Sequence, residues 1–357
     1  MLRLAALCLA LLGAAAQADT LRVATWNVGL DREGPGLLLR DILRDEDAQI
    51  DAVAQVIART APDILLLQKV DYDRDLHALR ALRDRLAEDG PRYEHVFALR
   101  PNSGMATGLD MDGDGRRGNE RDAQGYGAFS GQAGMAILSR HPIDRAAVQD
   151  FGALLWRDLP GALLPVREDG TPFPSAEAQA IQRLSYTGHW VVPVRLSSGP
   201  LHLMVFHATP PVFDGAEDAN GRRNHDEIRF WRLYLDGAFG PAPEARFVVM
   251  GDANLDPADS DGRRGAIRAL LADPRLQDPR PTRPGPVARD PGTAGDPALH
   301  TVRWPDIAAL RVSYILPSAD LEIAGAGVHW PAEGTPEGDL AATANHHRLV
   351  WVDLALD

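Results

Sequence analysis

Apolar residues along this chain fall into short, nearly unbroken runs separated by longer amphipathic stretches. The runs are Leu21–Val28, Ile64–Gln68, Met135–Leu138, Trp190–Leu196, Leu201–Phe206, Phe247–Met250, Val312–Leu316 and Leu349–Leu354. Several hold almost no polar position, as expected of strands covered on both faces. Between them the period changes. Ile50, Val53, Ala54 and Ile57 recur at helical spacing and place one apolar stripe on a helix. Leu76, Leu79, Leu82 and Leu86 do the same, and residues 225–235 and 265–272 are further helix candidates. Strands interleaved with helices predict a layered α/β or α+β fold. Two stretches break the rhythm: residues 100–133, rich in Gly, Asp and Arg, and residues 278–306, rich in Pro and Gly. Strand patterns resume after each and no internal repeat is visible, so the chain reads as one domain with two long excursions.

Composition narrows the partners. The chain has 357 residues, 45% hydrophobic and 24% charged, the profile of a folded globular protein. Its formal net charge of −13 repels nucleic acid and anionic membrane as a whole, so a phosphate-bearing ligand needs a locally basic pocket. The N-terminus differs from the rest. Arg3 is followed by an apolar stretch from Leu4 to Gly13 and by the small-x-small pattern Ala16-Gln17-Ala18. This predicts a cleavable export signal over residues 1–18, a domain over residues 19–357 and a periplasmic or secreted location. The apolar run is too short to span a bilayer. Cys8, the only cysteine, lies inside that signal; the processed chain then has no thiol chemistry and no disulfide.

Polar residues gather where the apolar runs end. Trp26-Asn27 follow one run, Gln68-Lys69 another, and His207 a third. Asp252 and Asn254 follow Phe247–Met250, Ser313 lies in Val312–Leu316, and Asn345-His346-His347 precede the last run. One polar strand end only marks where a chain leaves its core. Six of them point to a shared site.

The order of these short motifs, from Leu21 to Leu354, resembles the endonuclease/exonuclease/phosphatase superfamily, the fold of deoxyribonuclease I. The segment Thr209–Trp231 is similar to one found in a bacterial secreted subgroup. The resemblance implies a four-layer sandwich: two packed mixed β-sheets flanked by helices, with the site at one edge between the sheets. It also implies cleavage of phosphoesters with Mg²⁺ or Mn²⁺. Such hard cations want carboxylate oxygens. They offset phosphate charge and position water, while histidines near neutral pH move protons and bind phosphate oxygens. By this resemblance His207, Asp252, Asn254 and His347 are the catalytic group, and Asn27, Lys69 and His346 contact substrate. Asp252 is the remaining cleft metal ligand.

Three positions depart from the family pattern. Lys69 stands where the family carries its metal-binding Glu, Ser313 where it carries an Asp before Tyr-Ile-Leu-Pro-Ser, and His346 where it carries an Asp before the final His; alignment through His346 instead makes Asn345 the replacement, and the carboxylate is still missing. A protonated lysine has no lone pair for a metal. Two unit charges about 4 Å apart interact by roughly 4 kcal/mol at an effective dielectric near 20, so Lys69 opposes a divalent ion. Two readings follow: a degenerate member that binds a phosphate-containing or other anionic ligand, or an active hydrolase in which Asp71 or Asp73 supplies the missing ligand. Net charge disfavours nucleic acid as the partner.

Two further stretches carry candidate chemistry. Asp110, Asp112 and Asp114 alternate ahead of Gly115, the opening of a calcium loop. Its twelfth position is Arg121, flanked by Glu120 and Asp122, either of which could complete a structural Ca²⁺ site. Beyond His207, Pro210-Pro211 stiffen the chain. Arg222 and Arg223 are expected to face the cleft and hold a phosphate, with Asn224 or Asp226 capping the helix that follows.

Overall fold

The computed structural model describes residues 20–356. The proposed export signal and Cys8 lie outside the described residues. The elements run β1 (Thr20–Leu30), α1 (Leu37–Arg44), α2 (Ala48–Thr60), β2 (Ile64–Val70), α3 (His77–Leu86), β3 (His95–Phe97), β4 (Gly134–Ser139) and β5 (Gln149–Asp150). They continue as α4 (Ala176–Ile181), β6 (His189–Leu196), β7 (Gly199–His207), α5 (Ala219–Leu235), β8 (Phe247–Asp252) and α6 (Gly265–Leu271). The last are β9 (Ser313–Pro317), β10 (Ile323–Val328), α7 (Pro336–Ala344) and β11 (Val350–Ala355).

The strands form two sheets, ordered β10-β11-β1-β2-β4-β3 and β5-β6-β7-β8-β9. Each is mixed, with one parallel pair at its heart: β1 beside β2 and β7 beside β8. A parallel pair brings two strand C-termini to one edge, and both pairs send theirs to the site. Leu21, Val23, Ile64, Leu66, Ile137, Val192, Leu203, Val205, Val248 and Ile315 fill the space between the sheets. The outer face of the first sheet packs on α1, α2 and α3 through Val53, Ile57, Leu79 and Leu82. The outer face of the second packs on α5 and α6 through Phe230, Trp231 and Ile267. These are the four layers and two mixed sheets expected, and they explain the unbroken apolar runs: each central strand is buried on both faces.

Helix ends follow local chemistry. The Asp47 carboxylate accepts from the Gln49 and Ile50 amides and starts α2, and Thr335 caps α7 with Pro336 in its first turn. Helix α5 begins six residues before the candidate stretch, at Ala219, with Asp218 as its N-terminal flank. Asn224 and Asp226 are therefore interior residues of α5 and not its caps. Among the described residues no helix is long and apolar enough to cross a membrane.

Candidate functional site

The site is built where β1, β2, β7 and β8 end. In the second sheet His207 and Asp252 are register partners, and Asp252 faces Ser313 across the next pair. Gly251 makes this possible: its φ of 148° is one that L side chains rarely adopt, and a Cβ there would collide with the Phe206 carbonyl. From the first sheet, Asn27 Nδ2 donates to Asp252 Oδ2 at 2.8 Å, a buried bond joining the sheets. The Asn254 amide donates to Asp252 Oδ1 at 2.8 Å. His347 Nδ1 lies 3.5 Å from Asp252 Oδ2, and Trp26 Nε1 donates to the His347 carbonyl at 3.0 Å.

Lys69 reaches the group through a fault in β2. Gln68 pairs with Met135 and Val70 with Gly134, leaving Lys69 unpaired between them. Its φ is +57°. A bulge of this kind re-aims the side chain out of the strand's alternation. The Lys69 ammonium is felt at Asp252, His207 and His347 alike.

These charges set the protonation states. Burial pushes the Asp252 carboxyl up to about 6, against the Asn27 amide, the Asn254 N–H and Lys69, which pull it down. Burial lowers His207 to about 3, helped by Lys69. His347 falls well below 6.5 for the same two reasons, with His207, His346 and Arg348 adding to them. Both histidines are neutral at pH 7, so the 3.5 Å approach of His347 to Asp252 is not an ion pair. Several buried polar atoms here lack a protein partner: Asn27 Oδ1, Gln68 Oε1, His207 Nδ1, Ser313 Oγ and His347 Nδ1. Buried groups of this kind want a polar ligand or water.

The donor set does not suit a hard divalent ion. Among the residues gathered here Asp252 is the single carboxylate, and the Lys69 ammonium acts on it. Mg²⁺ and Mn²⁺ call for several oxygen ligands including carboxylates. Asp71 and Asp73 do not repair this. Asp71 accepts from the Arg32 and Ala133 amides at 2.9 and 3.0 Å, and Asp73 from the His77 and Ala78 amides that open α3. Asp71 is spent tying two distant segments to the end of β2, and Asp73 on the first turn of α3, whose N–H groups have no intrahelical acceptor.

Other expected site residues lie elsewhere. His346 is exposed, while His347 is the buried partner of the cleft. Arg222 donates from Nε to the Glu217 carbonyl. Arg223 is buried; it donates to the carbonyls of Leu184, Gln124, Arg183 and Ser185. An arginine interior to α5 serves the 124 and 183–185 backbone, not an anion at a helix N-terminus. Glu227, one turn on, accepts from the Tyr186 and Thr209 amides and fixes the chain just beyond His207. Sequence reasoning passed over it because a charged residue inside a polar loop pattern looks solvated.

Two groups converge tightly enough to hold a cation among the described residues: Asp110-Asp112-Asp122 and Asp256-Asp259-His300. The first alters the calcium-loop expectation. Asp114 is exposed and outside the group, while buried Asp122 takes the place, accepting from the Met111 amide at 2.8 Å. The second was missed. The Asp-x-x-Asp spacing after Gly-Asp-Ala-Asn was its visible half; His300 joins only through the fold.

The fold has known relatives. A structure of an endonuclease/exonuclease/phosphatase from Beutenbergia cavernae aligns with a TM-score of 0.54 at 18% identity, over 94% of this chain and 72% of that one. One from Leptotrichia buccalis, of the same description, gives 0.52 at 15%, over 94% and 100%. Sphingomyelinase C from Streptomyces griseocarneus gives 0.50 at 16%, over 94% and 99%. Identities this low speak for the fold alone. No curated protein matches the sequence. The sequence profile of the Endonuclease/Exonuclease/phosphatase family matches residues 24–340, from β1 into α7, and the chain belongs to that family.

Proposed function

We propose that this is an exported member of the family whose cleft binds a phosphate-bearing small molecule or another small anion without a resident Mg²⁺ or Mn²⁺, and whose metal-dependent phosphoester hydrolysis is impaired. The observation that carries the reading is Lys69, unpaired on the β2 bulge and acting on His207, Asp252 and His347. An ammonium offers donors to phosphate oxygens at the place where family members hold a metal. Asn27 and the neutral histidines supply further hydrogen-bonding atoms around it, and Ser313 Oγ is a donor with no internal acceptor. The export signal at residues 1–18 supports a periplasmic or secreted location, checked by N-terminal sequencing of protein recovered outside the cytoplasm.

The test is hydrolysis of a generic phosphodiester and a generic phosphomonoester with Mg²⁺, Mn²⁺ or Ca²⁺, alongside calorimetry with inorganic phosphate. The expected result is no metal-dependent turnover by the wild type, phosphate binding that Lys69→Ala abolishes, and turnover gained by Lys69→Glu combined with Ser313→Asp and His346→Asp. Wild-type turnover that requires metal and is lost in His207→Ala or Asp252→Ala would overturn the reading.

A further inference from the structure

We propose that Asp256, Asp259 and His300 form a site for one divalent transition-metal ion, of the Zn²⁺ class, that fastens the 290–304 segment to the loop leaving β8. One ligand atom from each lies within 4.8 Å of the others. Donors about 2.1 Å from a common ion stand at most about 4.2 Å apart, so a small side-chain rotation closes the set. The chemistry is mixed, one imidazole nitrogen with two carboxylates, which suits Zn²⁺ better than the all-oxygen preference of Mg²⁺ or Ca²⁺.

Two observations lift this above an acidic cluster. His300 is 2% exposed, and its Nε2 is buried without any hydrogen-bond partner. A buried imidazole nitrogen with nothing to bond is costly unless something completes it. The carboxylates are also held in place from behind. Asp256 accepts from the Ala258, Asp259 and Arg311 amides at 2.7, 2.9 and 2.7 Å. Asp259 accepts from the Ala294 and Gly295 amides at 2.7 and 2.8 Å. These donors orient the carboxylates and leave lone pairs free, the support that metal ligands need.

The site lies apart from the cleft and beside it. Next to His300, the Thr301 hydroxyl accepts from the Val312 and Ser313 amides at 2.9 and 3.1 Å. Val302 bridges to His347, and the Trp304 ring meets the His347 ring edge-on at 5.2 Å. An ion here would hold the segment that walls His347.

The experiment is zinc titration of chelator-treated full-length protein, by calorimetry and by thermal melting, with hydrogen exchange of residues 299–304 and 311–313. One equivalent of Zn²⁺ is expected, with a raised Tm and slower exchange in those segments. His300→Gln and Asp259→Asn, each verified as folded by circular dichroism, should weaken binding by about tenfold or more, while Asp110→Asn leaves it unchanged. Failure of Zn²⁺ to bind or raise the Tm overturns the proposal. So does binding that survives both His300→Gln and Asp259→Asn, or binding that Asp110→Asn removes.

Discussion

Replacing Asn27 with Ala should cost stability in a way that depends on pH. Asn27 Nδ2 donates to the Asp252 carboxylate at 2.8 Å with both residues buried. A hydrogen bond to a neutral acceptor contributes about 0.5–1.5 kcal/mol and one to a charged acceptor about 1.5–3 kcal/mol. Asp252 changes from one to the other near pH 6. Its folded pKa lies above the ordinary carboxylate value of 3.8, so its burial lowers stability as pH rises from the unfolded value to the folded one. Removing the donor pushes the folded pKa higher, by about one unit for each 1.36 kcal/mol lost. The extra penalty therefore develops above pH 6. We expect Asn27→Ala to destabilise by about 1 kcal/mol at pH 5 and about 2 kcal/mol at pH 8. Loss of the unpartnered Asn27 Oδ1 and the small cavity left behind act equally at both pH values and cancel from the difference. The assay is urea unfolding at both pH values and equal ionic strength, with the Asp252 carboxyl followed by NMR. A destabilisation that is flat with pH, or larger at pH 5, would refute the reasoning.

Three further outcomes follow from the same geometry. Lys69 adopts a φ of +57°, which Gly accepts freely, so Lys69→Gly should leave stability unchanged or raise it by up to about 1 kcal/mol while abolishing phosphate binding; denaturant midpoints and calorimetry report the two effects separately. Asp71→Ala removes the acceptor of two amides and should cost about 3 kcal/mol, with Asp71→Asn recovering part of it; an Asp71→Ala variant of full stability would show that those amides find other acceptors. His207, depressed from 6.5 to about 3, contributes stability that is complete above 6.5 and lost as pH falls toward 3, amounting to about 5 kcal/mol at most; His207→Gln should flatten that acid arm in melts taken from pH 7 to pH 4.

The layers were readable because strands buried on both faces leave unbroken apolar runs, and β1, β2, β7 and β8 all do. Of the four edge strands only β9 left such a trace; β10, β3 and β5 did not. β10 carries Gly325 and Gly327, and a Cβ on Gly327 would press into the Trp351 ring, so this strand shows glycine where an apolar pattern is sought. β3 and β5 are only three and two residues long. At the site, residues at strand ends were legible because the chain leaves its core there. Charged side chains on loops and helices were not. Asp71, Asp73 and Arg223 carry the right chemistry for a cleft, yet each satisfies backbone groups of its own neighbourhood. Sequence gives the charge of a group and not which backbone atoms lie within its reach.

The three replaced positions are not equivalent, and that separates their effects. Lys69 acts on all three central groups. Ser313 sits opposite Asp252 in register with its hydroxyl unpartnered, so an Asp there would face Asp252. His346 is exposed, and its neighbour His347 already fills the buried place. An exposed charge is screened and contributes little. Lys69→Glu with Ser313→Asp should therefore bind Mg²⁺ as well as the triple variant that adds His346→Asp, within about twofold by calorimetry. A triple variant that binds Mg²⁺ about tenfold more tightly than the double, a difference of about 1.4 kcal/mol, would mean that residue 346 turns into the cleft when a cation is present.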